Sequence, residues 1–145
     1  MNAIKTIGPE PTKRPAAVLR PALPTAFGCP RDFLDKRFVY TVISARARGL
    51  SIGVNMNPDK DCNFDCAYCE VNRTGPARAA ALDVPVMLAE LERTLALVQS
   101  GELRARPRYQ RVPPPLLELR HVTLSGDGEP TLCPNFVEAV EAVVH

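Results

Sequence analysis

Cys62, Cys66 and Cys69 put three thiols within eight residues, "CNFDCAYC", in the spacing C-x3-C-x2-C. Thiolates are soft ligands that select zinc, copper(I) or iron–sulfur clusters. Structural zinc takes four ligands in a closed tetrahedron, commonly as two cysteine pairs far apart in the chain. A second pair is missing here, and His121 and His145 lack the H-x3-5-H spacing. A thioredoxin-type site needs only C-x-x-C, which Cys66 and Cys69 supply, but it leaves Cys62 without a part. A 4Fe–4S cubane normally takes four cysteines. Three of them leave one iron open to a substrate or a second cofactor. Zinc held by the three thiols and one further ligand stays open as the alternative.

A second stretch with chemical character is "LSGDGEPTL", residues 124–132. Gly126 and Gly128 allow the backbone to approach a ligand closely, and the Glu129 carboxylate suits an ammonium group. Taken alone, the stretch also reads as an ordinary Gly/Pro turn after a strand.

The two stretches together, with aromatic Tyr68 just before the last cysteine, resemble the signature of the radical S-adenosylmethionine (radical SAM) enzymes. That resemblance implies a 4Fe–4S cluster on Cys62, Cys66 and Cys69 and a 5′-deoxyadenosyl radical chemistry. It implies that Gly126, Gly128 and Glu129 bind the amino group of S-adenosylmethionine, with Tyr68 beside the cofactor. An electron donor such as flavodoxin or ferredoxin is implied as well. The stretch "SARARGLSIGVN", through Ser44, Arg46, Gly49, Ser51, Gly53 and Asn55, is similar to the wyosine-type tRNA-modifying branch and its uncharacterised bacterial relatives. On that similarity tRNA is the candidate substrate. The resemblance covers roughly residues 37–73 and 119–133.

The elements that must position these residues can be read from periodicity. "RFVYTVISA" (37–45) is β-rich and predicts a strand or an extended segment laid against the domain. "LSIGVNM" (50–56) alternates Ile52, Val54 and Met56 and ends at Asn57-Pro58, so the cysteine loop starts just past a strand. Residues 73–80 read as a flexible connection. Residues 83–101 predict a helix with Asp83 as N-cap, Pro85 in its first turn, Gly101 at its C-terminus and Leu88, Leu91, Leu95 and Val98 on one face. Residues 104–115 read as an irregular Pro-rich loop. Residues 117–126 predict a buried strand, and residues 135–145 a helix with Phe136, Val140 and Val143 or Val144 on one face.

Strand, loop, helix, strand, loop, helix describes an α/β fold: the first two β/α units of a partial (β/α) barrel of radical SAM type, preceded by a Pro-rich extended leader. Active sites of such folds sit at the C-terminal ends of the strands, where both chemical stretches fall. The domain division is residues 1–36 as basic leader and 37–145 as the N-terminal part of the core. A complete barrel takes roughly 250 residues, so the 145 residues are expected to be a fragment. Another chain would then complete the barrel, and a fragment could be inactive by itself.

Composition narrows the setting. Hydrophobic residues make up 46% of the chain, which is a globular rather than a disordered composition. An apolar run long enough for a membrane span is missing, and "MNAIKTIGPEPTKRP" lacks the apolar core of a signal peptide. A reducing cytoplasmic location is the default, in which clustered cysteines are ligands or redox groups rather than disulfides. Residues 1–50 carry nine Lys/Arg against three Asp/Glu, a net of +6; residues 51–145 carry nine against thirteen, a net of −4. The positive half reads as a solvated tail. Arg104, Arg106, Arg108 and Arg111 form a second basic patch that points toward phosphate contact. Cys29 and Cys133 read as spare thiols and His121 as structural. Asp59, Asp61, Asp65 and Glu70 read as loop charges, and Asn55 and Asn57 as hydrogen bonders at a strand end.

Overall fold

Residues 45–48 join the first two strands, and a link that short can only reverse the chain. Strand β1 (Val39–Ser44) therefore runs antiparallel to β2 (Gly49–Asn55), with Tyr40 opposite Gly53 and Val39 opposite Val54. The next connection is long and contains helix α1 (Val84–Gln99), so β3 (Leu119–Ser125) returns parallel to β2. Val54 lies opposite Leu124, and Asn55 opposite Ser125. Helix α2 (Phe136–Val144) ends the fold. The computed structural model describes residues 30–69 and 71–144. Most of the predicted leader, with Cys29, Glu70 and His145, lies outside the described residues.

The result is a small mixed α/β fold with sheet order β1-β2-β3. It differs from the expected pair of parallel strands, because segment 37–45 is a full antiparallel edge strand. Among the described residues the sheet is open, and a barrel is not formed. Residues 31–36 of the expected leader are packed: Phe33 and Leu34 are buried, and Asp32 bridges to Thr41. Among the described residues no helix is long and apolar enough to cross a membrane.

Alternation gives the sheet two different faces. One carries Val39, Ile52 and Val54, all fully buried beneath Met87 and Leu91 of α1 and Ala139 of α2. On this side α2 contributes Phe136, Ala139 and Val143, whereas Val144 is exposed. Ile43 and Leu50 extend the apolar layer toward Leu34, Leu103 and Tyr109. Tyr109 anchors the segment read as irregular: its phenol meets Thr41 Oγ1 at 2.6 Å and donates to Asp32 Oδ2 at 2.9 Å. Burial pushes that phenol above its usual range.

The opposite face is polar and is crossed by Tyr40. The ring lies over Gly53, where a Cβ would come within 2.1 Å of Tyr40 Cζ. The Tyr40 hydroxyl then meets Ser125 Oγ at 2.6 Å, so one side chain spans all three strands. Only glycine at position 53 leaves room for that crossing.

Helix α1 follows the predicted caps, with Asp83 accepting from Val86 N at 3.0 Å and Gly101 at φ 79° past its end. Its buried side is not the expected leucine row alone. Val84, Met87, Glu90, Leu91 and Thr94 are buried, while Leu88, Leu95 and Val98 are half-buried. Glu90 is there for the backbone: its carboxylate accepts N–H groups of Arg37 (2.9 Å), Phe38 (2.9 Å) and Val39 (3.2 Å) as the chain enters β1. Each buried donor left unpaired costs about 1–3 kcal/mol. Glu90→Ala is therefore expected to destabilise by about 3 kcal/mol or more, with Glu90→Gln milder because one acceptor oxygen remains. Urea unfolding of the two variants checks this, and equal small losses would contradict it.

Candidate functional site

At the C-terminal end of β2, Asn55 fixes the loop that follows β3. Its Nδ2 donates to Asp127 Oδ2 at 2.9 Å, and its Oδ1 accepts Asp127 N at 2.8 Å. Arg31 pairs with the other Asp127 oxygen at 2.5 Å while its guanidinium stands 5.1 Å over the Tyr40 ring. One turn further, Asn57 Nδ2 donates to Glu129 O at 2.9 Å, and Glu129 N donates to Asp61 O at 3.3 Å. The stretch 126–129 thus lies against the first residues of the cysteine loop.

The glycines make this approach possible. A Cβ on Gly128 would sit 1.7 Å from Asp61 O, and one on Gly126 would sit 2.4 Å from Asn57 Oδ1. Asn57 Oδ1 is itself a buried oxygen without a hydrogen-bond partner, pressed against Gly126. Lys60 turns the chain with φ 69°, an uncommon backbone for a non-glycine residue. Its ammonium donates to Asn72 O (2.7 Å) and Gly75 O (3.0 Å), which closes the base of the cysteine loop. The expected flexible connection is tied down as well: Arg78 N donates to Pro58 O at 2.8 Å, and its guanidinium stacks 3.4 Å from the Phe33 ring centre.

Cys62, Cys66, Cys69, Tyr68, Gly126, Gly128 and Glu129 all line one cavity of about 140 Å³. The structure therefore brings together every site residue expected from the sequence. Arg73 also lines the cavity and donates to Cys69 Sγ at 3.9 Å. Hydrogen bonding from Arg73, then from the Phe64 backbone, lowers the Cys62 thiol below its ordinary value and so favours thiolate. Tyr68 is 85% exposed, and its phenol is pushed upward by the hydrogen bond and charge of Cys66. The Glu129 carboxylate is turned to Thr131, accepting from its N at 3.2 Å and its hydroxyl at 2.8 Å. Among the described residues no three His, Cys, Asp or Glu side chains converge as they do around a metal ion. The three sulfurs share a cavity wall, not a common point.

The other candidates stand apart. His121 is exposed on β3 with Nε2 3.1 Å from Ser51 Oγ, outside the cavity. Cys133 is buried in the apolar cluster, where burial raises its thiol. Asp59, Asp61 and Asp65 are exposed, and Asp59 Oδ1 holds the loop by accepting Asp61 N at 3.1 Å. A larger cleft of about 450 Å³ lies between α1 and the segment before β3, but its walls are largely aliphatic. Arg31, Lys60, Arg73 and Asp127 were not singled out from the sequence. The cation four residues past Cys69 was the one local signal available.

Known proteins offer a partial match. The chain is similar to UPF0026 proteins. It is 26% identical over 106 residues to one from Helicobacter pylori strain J99, covering 72% of this chain and 30% of that protein. It is 29% identical over 99 residues to UPF0026 protein MJ1312 of Methanocaldococcus jannaschii, covering 68% of this chain and 27% of that protein. The chain thus spans less than a third of the length of these curated relatives. No family model and no solved structure matches it.

At Gly128 an added Cβ would run into the Asp61 backbone, which has nothing flexible to yield. Gly128→Ala is expected to destabilise the fold by about 1–3 kcal/mol, as overpacking does, and to raise hydrogen exchange across residues 57–75. Unchanged exchange in the variant would mean that the two loops do not touch there.

Proposed function

We propose that this chain carries the cluster-binding part of a radical SAM enzyme. The observation that supports it is the shared cavity: three thiols in C-x3-C-x2-C spacing face the Gly126–Glu129 stretch across about 140 Å³. The donor set fits a 4Fe–4S cluster. It is all thiol, Arg73 favours the thiolate form of Cys62, and cubane clusters take thiolate ligands. Cys62, Cys66 and Cys69 would hold the cluster and leave one iron open. When bound, such a cluster supplies the electron that cleaves a carbon–sulfur bond of S-adenosylmethionine, which starts radical chemistry.

The chain's own residues have definable parts in this. Gly126 and Gly128 let their loop close onto Asn57 and Asp61, which sets the backbone that faces the cysteines across the cavity. The Glu129 carboxylate offers an acceptor to the ammonium of S-adenosylmethionine on turning away from Thr131. Asp127 positions both by its pairing with Asn55. Arg73 places a positive charge beside the sulfurs, which offsets the negative charge of a thiolate-ligated cluster. Tyr68, exposed at the mouth, is available to a bound cofactor or substrate. In this reading tRNA is the candidate substrate, flavodoxin or ferredoxin the electron donor, and further β/α units, in this or another chain, complete the barrel.

Anaerobic reconstitution with iron and sulfide tests the proposal. Absorbance near about 400 nm is expected, as for iron–sulfur charge transfer. After reduction, a paramagnetic resonance signal should appear that shifts when S-adenosylmethionine is added. Cys62→Ser, Cys66→Ser and Cys69→Ser should each lose it. A colourless protein that retains zinc under the same treatment would sink the proposal.

A further inference from the structure

A second cleft, of about 380 Å³, lies on the helix side of the sheet and shares no residue with the cysteine cavity. Three cations line it: Lys36 from the segment before β1, Arg93 from α1, and Arg106 from the segment after α1. They are far apart in sequence, so no local charge run explains the convergence. Among the described residues none of the three forms an ion pair. Two acids also line the cleft. Glu90 is committed to three backbone N–H groups, and Asp35 is exposed. Asp32, close enough to act on Lys36, is engaged by Tyr109 and by Arg108. Three cations against two acids leave the lining with a net positive charge. Burial first, then the charge of Arg106, lowers the Lys36 ammonium below its ordinary value; Glu90 opposes this, and Arg93 adds a smaller part.

The basic patch seen in the sequence is divided by the fold. Arg106 enters the cleft, while Arg108 donates to Pro30 O and approaches Asp32. Arg104 lines a different cleft, and Arg111 is exposed. What selects a ligand is therefore not the run of arginines but the meeting of Arg106 with Lys36 and Arg93.

We infer that the Lys36–Arg93–Arg106 cleft is a phosphate-binding site. Two guanidinium forks match phosphate oxygens bidentately, and the ammonium adds a point charge. The cleft volume falls within the range of small-ligand sites, roughly 300–1,000 Å³, and exceeds what one phosphate fills. Two sources share this chemistry: the free inorganic ion and a diester in a nucleic-acid strand.

Two probes on the full chain separate these sources. Inorganic phosphate is titrated while the amide resonances of residues 36, 93 and 106 are followed. A labelled 12-nucleotide RNA is titrated by fluorescence anisotropy at several salt concentrations. Binding should fall by roughly tenfold or more in Lys36→Gln/Arg93→Gln/Arg106→Gln, and the salt slope for RNA should drop by about 2, at about 0.7 per single-strand phosphate contact. Arg111→Gln, an exposed arginine outside the cleft, should change neither by a comparable amount. RNA bound much more tightly than phosphate assigns the site to a strand; phosphate bound as tightly as RNA assigns it to the free ion. Wild-type binding in the triple variant, with its thermal midpoint retained, would overturn the inference, as would no response to either probe.

Discussion

The reciprocal pairing of Asn55 with Asp127 is the constraint on which the rest of the site depends. Both residues are buried, and each leaves a costly unpaired polar group if the other is lost. The pair joins a side chain at the end of β2 to both the backbone and the side chain of the loop after β3. Parallel strands alone would bring their ends near one another. This pairing fixes how the second loop leaves its strand, and so presses residues 126–129 against residues 57–61. Arg31 and Tyr40 brace it from the polar face. The cysteine cavity is what remains between two loops held in this way.

The sheet separates tasks by face. Its apolar side does the packing, with Val39, Ile52 and Val54 under the two helices. Its polar side carries Tyr40, which reaches Ser125 across Gly53. Glu90 shows how the two kinds of interaction cooperate. It is a buried acid on a helix face that also buries Val84, Met87, Leu91 and Thr94, and its partners are the amides that begin β1. Desolvation of a carboxylate is tolerable there because three donors replace water. Glu90 also lines the cationic cleft, where its charge acts on Lys36, so a structural device for the edge strand also shapes the electrostatics of that surface.

Much of the local structure was legible in advance. The caps of α1 at Asp83 and Gly101, the strands through residues 39–44, 49–55 and 119–125, and the placement of the cysteines past β2 all follow from propensity and periodicity. The antiparallel course of β1 was not anticipated, although the brevity of residues 45–48 implies it. The order attributed to residues 31–36 and 73–80 was too low, because their anchors are single long-range contacts: Arg31 to Asp127, Arg78 over Phe33, Lys60 to Asn72 and Gly75.

By itself the sequence determined which chemistry is available: three thiols at cluster-type spacing, a glycine-rich acidic turn, and β/α elements that send both to one edge of a sheet. These are properties of short windows, where ligand type, turn chemistry and period act over a few residues. Only the tertiary structure decided that Asn55 meets Asp127 across 72 residues, that Glu90 serves amides about 50 residues away, and that Lys36, Arg93 and Arg106 share a cleft. A polar group seeks any partner that burial leaves within reach. That choice is settled by how the segments pack, and no local pattern records it.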